Sequence, residues 1–280
     1  MSLPGETAKD KWRVRNAVVK ANFIAHSPNY KQLYNLLHQK DTSAVDCAQP
    51  FIDRTIKIAA SPEVREELNE FVGPFAWAIV EMVAHTSYKN TDIQSKLVDF
   101  IHELQKAVVT DPTGEPLSYN ENEDEPSVLW TNLPMFRMCC SEEMISFDED
   151  DPKNTELEKE RWKNLSAFWA GLSRSKATDF IMHGLHACLN AFGPYDSPSP
   201  NETKPIIFIQ QIACIWFIFA ADTLWHTCQE GTENRNRESW KHWTKGVEEF
   251  KDADGDAETQ RLVDRALEMI QKAERLETSI

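Results

Sequence analysis

His183 and His186 stand three residues apart, with Cys188 just beyond them, in a stretch that reads as helix. Imidazoles at that spacing share a helix face and can supply two ligands of a zinc or iron site. A catalytic metal needs a third ligand, and Asp222, His226 and Cys228 on the most apolar segment of the chain are the candidates. Glu81/His85 and Asp99/His102 repeat the pairing on other helices. Di-iron carboxylate bundles need two Glu-x-x-His motifs, and the chain has none. It has no His-Asp dipeptide either, so the usual metal-phosphohydrolase signature is missing. The expectation is no bound metal and no cofactor, with histidines that hydrogen-bond locally or face water.

Acidic runs are the next group that could do chemistry. Asp148-Glu149-Asp150-Asp151 has a superficial likeness to the aspartate-rich motif of class I terpene synthases. That motif holds Mg²⁺ near a helix end and needs a second motif, which is absent, and Pro152 follows at once. Asp252-Ala-Asp254-Gly-Asp256 begins like an EF-hand loop, but position six is Ala257 and position twelve is Val263. Such a loop lacks its bidentate Glu and cannot close around Ca²⁺. Asp256 is expected instead to cap a helix. No Gly-x-Ser-x-Gly elbow, phosphate-binding loop or dinucleotide glycine pattern occurs. No catalytic residue is nominated.

Nine tryptophans offer a different possibility. Trp216 and Trp225 bracket the second half of the most apolar segment, and Trp225 adjoins Asp222 and His226. An apolar pocket with a few polar groups is the usual make-up of a ligand site. The candidate ligand-binding set is therefore His183, His186, Trp216, Asp222, Trp225 and His226. The plainer reading makes the tryptophans large core fillers whose indole N–H groups need partners.

These residues must be positioned by helices, because a period of three to four residues runs through most of the chain. Val14, Ala17, Val18, Ala21 and Ile24 form one stripe. Ser27-Pro28 reads as an N-cap with proline at the first helical position. Thr42/Ser43 opens a helix to about Ala60 that Pro50 is expected to kink or split. Ser61-Pro62-Glu63 starts another, which Gly73-Pro74 is expected to break before a second, strongly apolar helix. Thr91-Asp92 is expected to cap an amphipathic helix running to Val108. Thr110 to about Glu125 reads as a loop, and Val128–Cys140 as one or two helical turns. Helices resume at about Thr155, at Thr178–Phe192, Thr203–Cys228, Asn234–Lys251 and Asp256–Leu276, with Ser197–Pro200 as a loop.

Roughly ten helices and no alternating strand make the fold class all-α. The chain is expected to form an irregular multi-helix bundle or a HEAT- or armadillo-like array of antiparallel helices. Only 9 Gly in 280 residues agrees with helices joined by short capped turns. One helical domain over 1–280 is expected, with an acidic loop or linker at 110–155 between blocks at 1–109 and 155–280. Ile206–Ala221 is apolar but falls short of the about 20 residues that a span needs. It is expected to be the central helix of the core, with no membrane contact.

The formal charge is −15, and residues 111–160 hold fifteen Asp/Glu against three Lys/Arg, a net of −12. This weighs against broad nucleic-acid binding and suits a basic protein partner on the acidic loops. The six cysteines lack a CxxC spacing and are expected to be reduced and mostly buried. Met1–Lys20 carries no apolar signal core, so a cytoplasmic protein is expected, with the nucleus left open.

Two segments carry a resemblance: Trp162-Lys-Asn-Leu-Ser-Ala-Phe-Trp169-Ala170 and Ile215-Trp216-Phe-Ile-Phe-Ala-Ala-Asp222-Thr-Leu-Trp225. They resemble an uncharacterised all-helical family of filamentous ascomycete fungi, a domain of unknown function, over roughly residues 30–250. The resemblance implies an intracellular helical fungal protein and supplies no reaction, cofactor or catalytic residue. The function expected is that of a non-enzymatic interaction or scaffold protein, with homo-oligomerisation also open. The alternative is a small-ligand-binding protein or enzyme with a pocket near the central helix 203–228.

Overall fold

The computed structural model describes residues 24–61, 63–119, 127–149, 151–194, 207–231, 235–253 and 256–277. The stripe from Val14 to Ala21, the basic N-terminal stretch, Pro62, residues 121–126 and Asp150 of the acidic loops, Ser197–Pro200, Thr203–Pro205 and Asp254-Gly255 lie outside them. In chain order the helices are α1 (Pro28–His38), α2 (Ala44–Ala59), α3 (Val64–His85), α4 (Thr91–Lys106), α5 (Leu129–Asn132), α6 (Pro134–Ser146), α7 (Glu156–Ser175), α8 (Ile181–Phe192), α9 (Ile207–Glu230), α10 (Arg237–Ala253) and α11 (Ala257–Glu277). Among the described residues there is no strand, only two isolated bridges, Thr110 with Pro116 and Ser118 with Val128. The protein is an all-α multi-helix bundle.

Local chemistry sets most helix starts. Ser27 Oγ accepts the Tyr30 N–H at 3.2 Å and opens α1. Ser43 and Thr155 form reciprocal capping boxes with Asp46 and Glu158 at the starts of α2 and α7. Asn236 Oδ1 accepts the Glu238 and Ser239 N–H groups before α10. Asp256 accepts those of Glu258 and Thr259 before α11, the capping role expected of it. At α4 the cap is Asn90, whose Oδ1 accepts the Ile93 N–H at 3.3 Å, rather than Thr91 or Asp92.

Neither internal proline splits its helix. α2 runs through Pro50, and α3 runs unbroken through Gly73-Pro74. Pro74 withholds the bond due to the carbonyl of residue 70, but residue 70 is exposed, where water can serve it. Phe71, Val72, Phe75, Ala76 and Ile79 are all buried around the same turns and hold α3 continuous. α6 is also longer than two turns, because Phe136, Cys139 and Cys140 bury one side of it.

The chain divides into two packed units. The first is Met1–Thr86 with Asp99–Ser146, and the second is Ser87–Val98 with Phe147–Ile280. The chain passes between them at residues 86/87, at 98/99 within α4, and at 146/147 inside the acidic segment.

In the first unit α3 packs against α1, α2 and α6. Its aromatic core is built on Phe75, whose ring lies 4.3 Å from Phe51, 5.4 Å from Phe71 and 5.7 Å from Trp130. Arg54 closes this core by lying 4.4 Å above the Phe71 ring.

In the second unit α9 is the central element, packed by α7, α8, α10 and α11. By length and composition alone α9 could cross a membrane, with a mean hydropathy of 1.7. Here Ile212, Ala213, Cys214, Ile215, Trp216 and Phe217 are all buried inside the unit. α9 changes direction at Ala220, whose φ of −145° and ψ of 29° leave the helical region.

Candidate functional site

The six residues singled out from the sequence all lie in the second unit, and each has its own environment. His183 and His186 lie one turn apart on α8, and both are exposed. Arg235 Nη2 donates to His186 Nε2 at 3.3 Å, and its Nη1 reaches Met182 Sδ. Burial of the ring, then the charge of His186, holds His183 below its ordinary value. Trp216 is 1% exposed and lies on Gly184, between the two histidines in sequence.

Asp222 follows the break at Ala220. Its carboxylate accepts the Thr223 N–H at 2.9 Å and pairs with Arg174 Nε at 3.0 Å. Trp225 packs its ring 5.0 Å from Trp240. His226 faces water and stands 3.6 Å from Glu230. The structure thus joins Trp216 to the helix of His183 and His186, and gives Asp222, Trp225 and His226 separate partners.

Among the described residues no group of three or more His, Cys, Asp or Glu side chains is placed to hold a metal ion. Glu149 is committed to the Trp162 indole N–H at 2.7 Å. Glu81, buried in α3, pairs with His85 at 2.8 Å. All six cysteines are buried and none is in a disulfide. Burial pushes Cys214 and Cys228 up to about 12 and Cys188 well above its ordinary value, so none is a ready nucleophile.

A polar cluster that no motif announced surrounds Glu258 at the start of α11. Tyr88 OH donates to Glu258 Oε1 at 2.9 Å, and Lys89 and Lys163 place their ammonium groups on the same oxygen at 3.1 and 3.3 Å. Asn164 Oδ1 accepts the Tyr88 backbone N–H at 2.8 Å. Beside it, Gln211 of α9 donates to Thr259 Oγ at 2.7 Å, so a side chain of the apolar helix finds its partner in the α11 cap. Burial would raise Glu258, but the Tyr88 and Lys89 hydrogen bonds and the lysine charges outweigh it and bring the carboxyl below its ordinary value. Burial first, then Glu258, drives the Tyr88 phenol the other way, well above its usual range. These bonds fasten the Tyr88–Lys89 segment to α7 and α11.

Besides Asn154 Oδ1 and Trp169 Nε1, two further places carry buried polar atoms without partners. Trp225 Nε1 and both amide atoms of Gln229 lie one turn apart on α9 and make no hydrogen bond. In the first unit Trp130 Nε1 is likewise unpaired, beside a small hollow between α3, α5 and α6. Neither was legible in the sequence, because an unmade bond leaves no spacing to read.

No curated protein and no solved structure matches the chain. A family model described as a protein of unknown function (DUF3632) matches residues 77–263 of the 280, from the middle of α3 to the first turns of α11. That span contains both segments whose packing residues carried the resemblance and the whole Glu258 cluster. The chain belongs to the DUF3632 family of proteins of unknown function.

Proposed function

We propose that this chain is a non-enzymatic interaction protein of the cell interior that binds a basic protein partner. The observation that supports this reading is the outward face of α6. Ile145 is 86% exposed and Met138, one heptad earlier, is 44% exposed, with exposed Glu142 between them. Spacings of four and seven put the three on one face, opposite buried Phe136, Cys139 and Cys140. A helix apolar on both sides is what a face covered by a partner looks like. The acids Glu142 and Glu143 and the wider −12 balance of residues 111–160 favour a basic partner.

A photo-crosslinking amino acid at position 145, used in the host cell, tests the reading. One dominant basic protein attached at 145, and absent when the probe is at exposed position 245, is the expected result. A second copy of this chain would replace the basic partner by a homo-oligomer. Equal, diffuse labelling from both positions would contradict the proposal.

A second reading has one observation in its favour. The unpaired Trp225 N–H and Gln229 amide present two donors and an acceptor on one face of α9. A small polar ligand there would satisfy all three. Native mass spectrometry of protein purified from its own host should then show a bound mass that is absent from a Gln229→Leu variant. Equal masses for the two preparations, corrected for the substitution, would remove this reading.

A further inference from the structure

In the first unit α4 runs into a short extended stretch, bridged at Thr110–Pro116 and at Ser118–Val128. The Leu117 N–H donates to the Val109 carbonyl and the Asp111 N–H to the Glu115 carbonyl, both at 2.8 Å. These bonds straddle the Thr110–Pro116 pair, so the N–H and C=O of Thr110 point away from 115–117. Among the described residues those two groups make no hydrogen bond, and neither do the N–H and C=O of Val108. Val109 is buried at 5% exposure, whereas Val108 is 63% exposed and Thr110 is exposed. That alternation is the period of a strand and puts the backbone groups of 108 and 110 on one edge. The stretch is held in place, because Val109 and Leu117 are buried and Asp111 Oδ1 accepts the Thr113 N–H, the Thr113 hydroxyl and the Glu115 N–H. Proteins commonly guard such an edge with lysine or proline, and 107–111 contains neither. Residues 107–128 hold six Asp/Glu and no Lys or Arg.

We propose that residues 108–110 take up an extended, basic segment of a partner protein as an added strand. The segment's backbone pairs with the free N–H and C=O groups of Val108 and Thr110, and an apolar side chain rests on Val108. Its lysines or arginines meet the acids of 107–128, which select it over a neutral or acidic segment. The inference rests on the reading of a basic partner but not on the α6 outer face, which is a separate surface.

A short capped peptide of alternating lysine and valine is a suitable probe, followed through the Val108 and Thr110 amide resonances in ¹H–¹⁵N spectra of the full chain. It should shift both saturably, and less tightly in high salt. The same peptide with its central amides N-methylated should bind about fivefold or more weakly, the ratio expected when backbone hydrogen bonds are removed. A glutamate–valine peptide should cause no saturable shift. Thr110→Pro removes the outward N–H and spares the two bonds that straddle it, so it should weaken the lysine peptide about fivefold or more. Val108→Lys, at an exposed position, should do the same through charge, and it decides the matter if Thr110→Pro does not fold. Ile145→Lys should leave the peptide's affinity unchanged, which separates failure here from failure of the α6 face. Absence of a saturable shift, equal affinity for the N-methylated peptide, or binding undiminished in Val108→Lys would overturn the proposal. So would loss of binding in Ile145→Lys, or shifts at 108 and 110 that follow protein concentration without peptide, which would assign the edge to a second copy.

Discussion

Gly184 of α8 lies against the Trp216 indole so closely that a Cβ at position 184 would stand 2.5 Å from Trp216 Cε3. The absent side chain is what lets the central helix bring its largest buried residue onto α8. Gly184→Ala should therefore destabilise although alanine favours helices. Overpacking costs about 1–3 kcal/mol and the propensity gain returns about 1 kcal/mol, so a net loss of up to about 2 kcal/mol is expected. Trp216→Ala should cost about 3–5 kcal/mol. In the Trp216→Ala background Gly184→Ala should become neutral or stabilising. Denaturant melts of the four proteins check this, and a Trp216→Ala loss below about 1 kcal/mol would contradict the packing.

The Tyr88–Glu258 pair predicts sensitivity at both ends of the pH scale. The folded phenol holds its proton above the ordinary value, so the unfolded chain loses that proton first as pH rises. This contribution is complete below about pH 10 and is lost as pH climbs beyond it. Glu258 sits below its ordinary value, so its contribution is present above about pH 4.3 and disappears as pH falls through the folded value. Thermal melts across pH should show Tyr88→Phe flattening the alkaline limb and Glu258→Gln the acid limb. At pH 7 Tyr88→Phe should cost about 1–2 kcal/mol. Unchanged limbs would show that the cluster does not bear on folding.

Thiol chemistry gives an independent check on burial. Cys188, Cys214 and Cys228 are buried and their thiols are held protonated. Native protein treated with iodoacetamide at pH 8 should leave all three unmodified over hours, while denaturant should expose them at once. Rapid native labelling at any of them, located by peptide mass spectrometry, would contradict the described packing.

Lys176 ends α7 in the left-handed conformation, at φ 62° and ψ 19°, with its side chain exposed. A residue with a Cβ pays about 1 kcal/mol there. Lys176→Gly should accordingly raise stability by about that amount, read as a higher denaturant midpoint at unchanged slope.

What could be read in advance was local. Ser27, Ser43, Thr155 and Asp256 cap helices through atoms two or three residues away, and the buried stripe of α9 is written in one unbroken run. At Gly73-Pro74 local propensity says break, and burial of Phe71 and Phe75 says continue. Tyr88 and Glu258 are 170 residues apart, so no spacing could announce their bond. Trp130 and Trp225 stood among nine tryptophans, and only the three-dimensional arrangement shows which indole N–H groups lack partners. His183, His186, Asp222 and His226 were picked for residue type, and in the fold His186 meets Arg235, Asp222 meets Arg174 and His226 meets Glu230.

The central claim is that the outer face of α6 binds a basic protein. Its most direct test replaces Met138 and Ile145 together with lysine and measures affinity for the protein crosslinked at position 145. The account predicts at least tenfold weaker binding, with a melting temperature within about 2 °C of the parent, because both side chains face water in the free chain. Affinity preserved within twofold, in a variant that folds as the parent does, would contradict it.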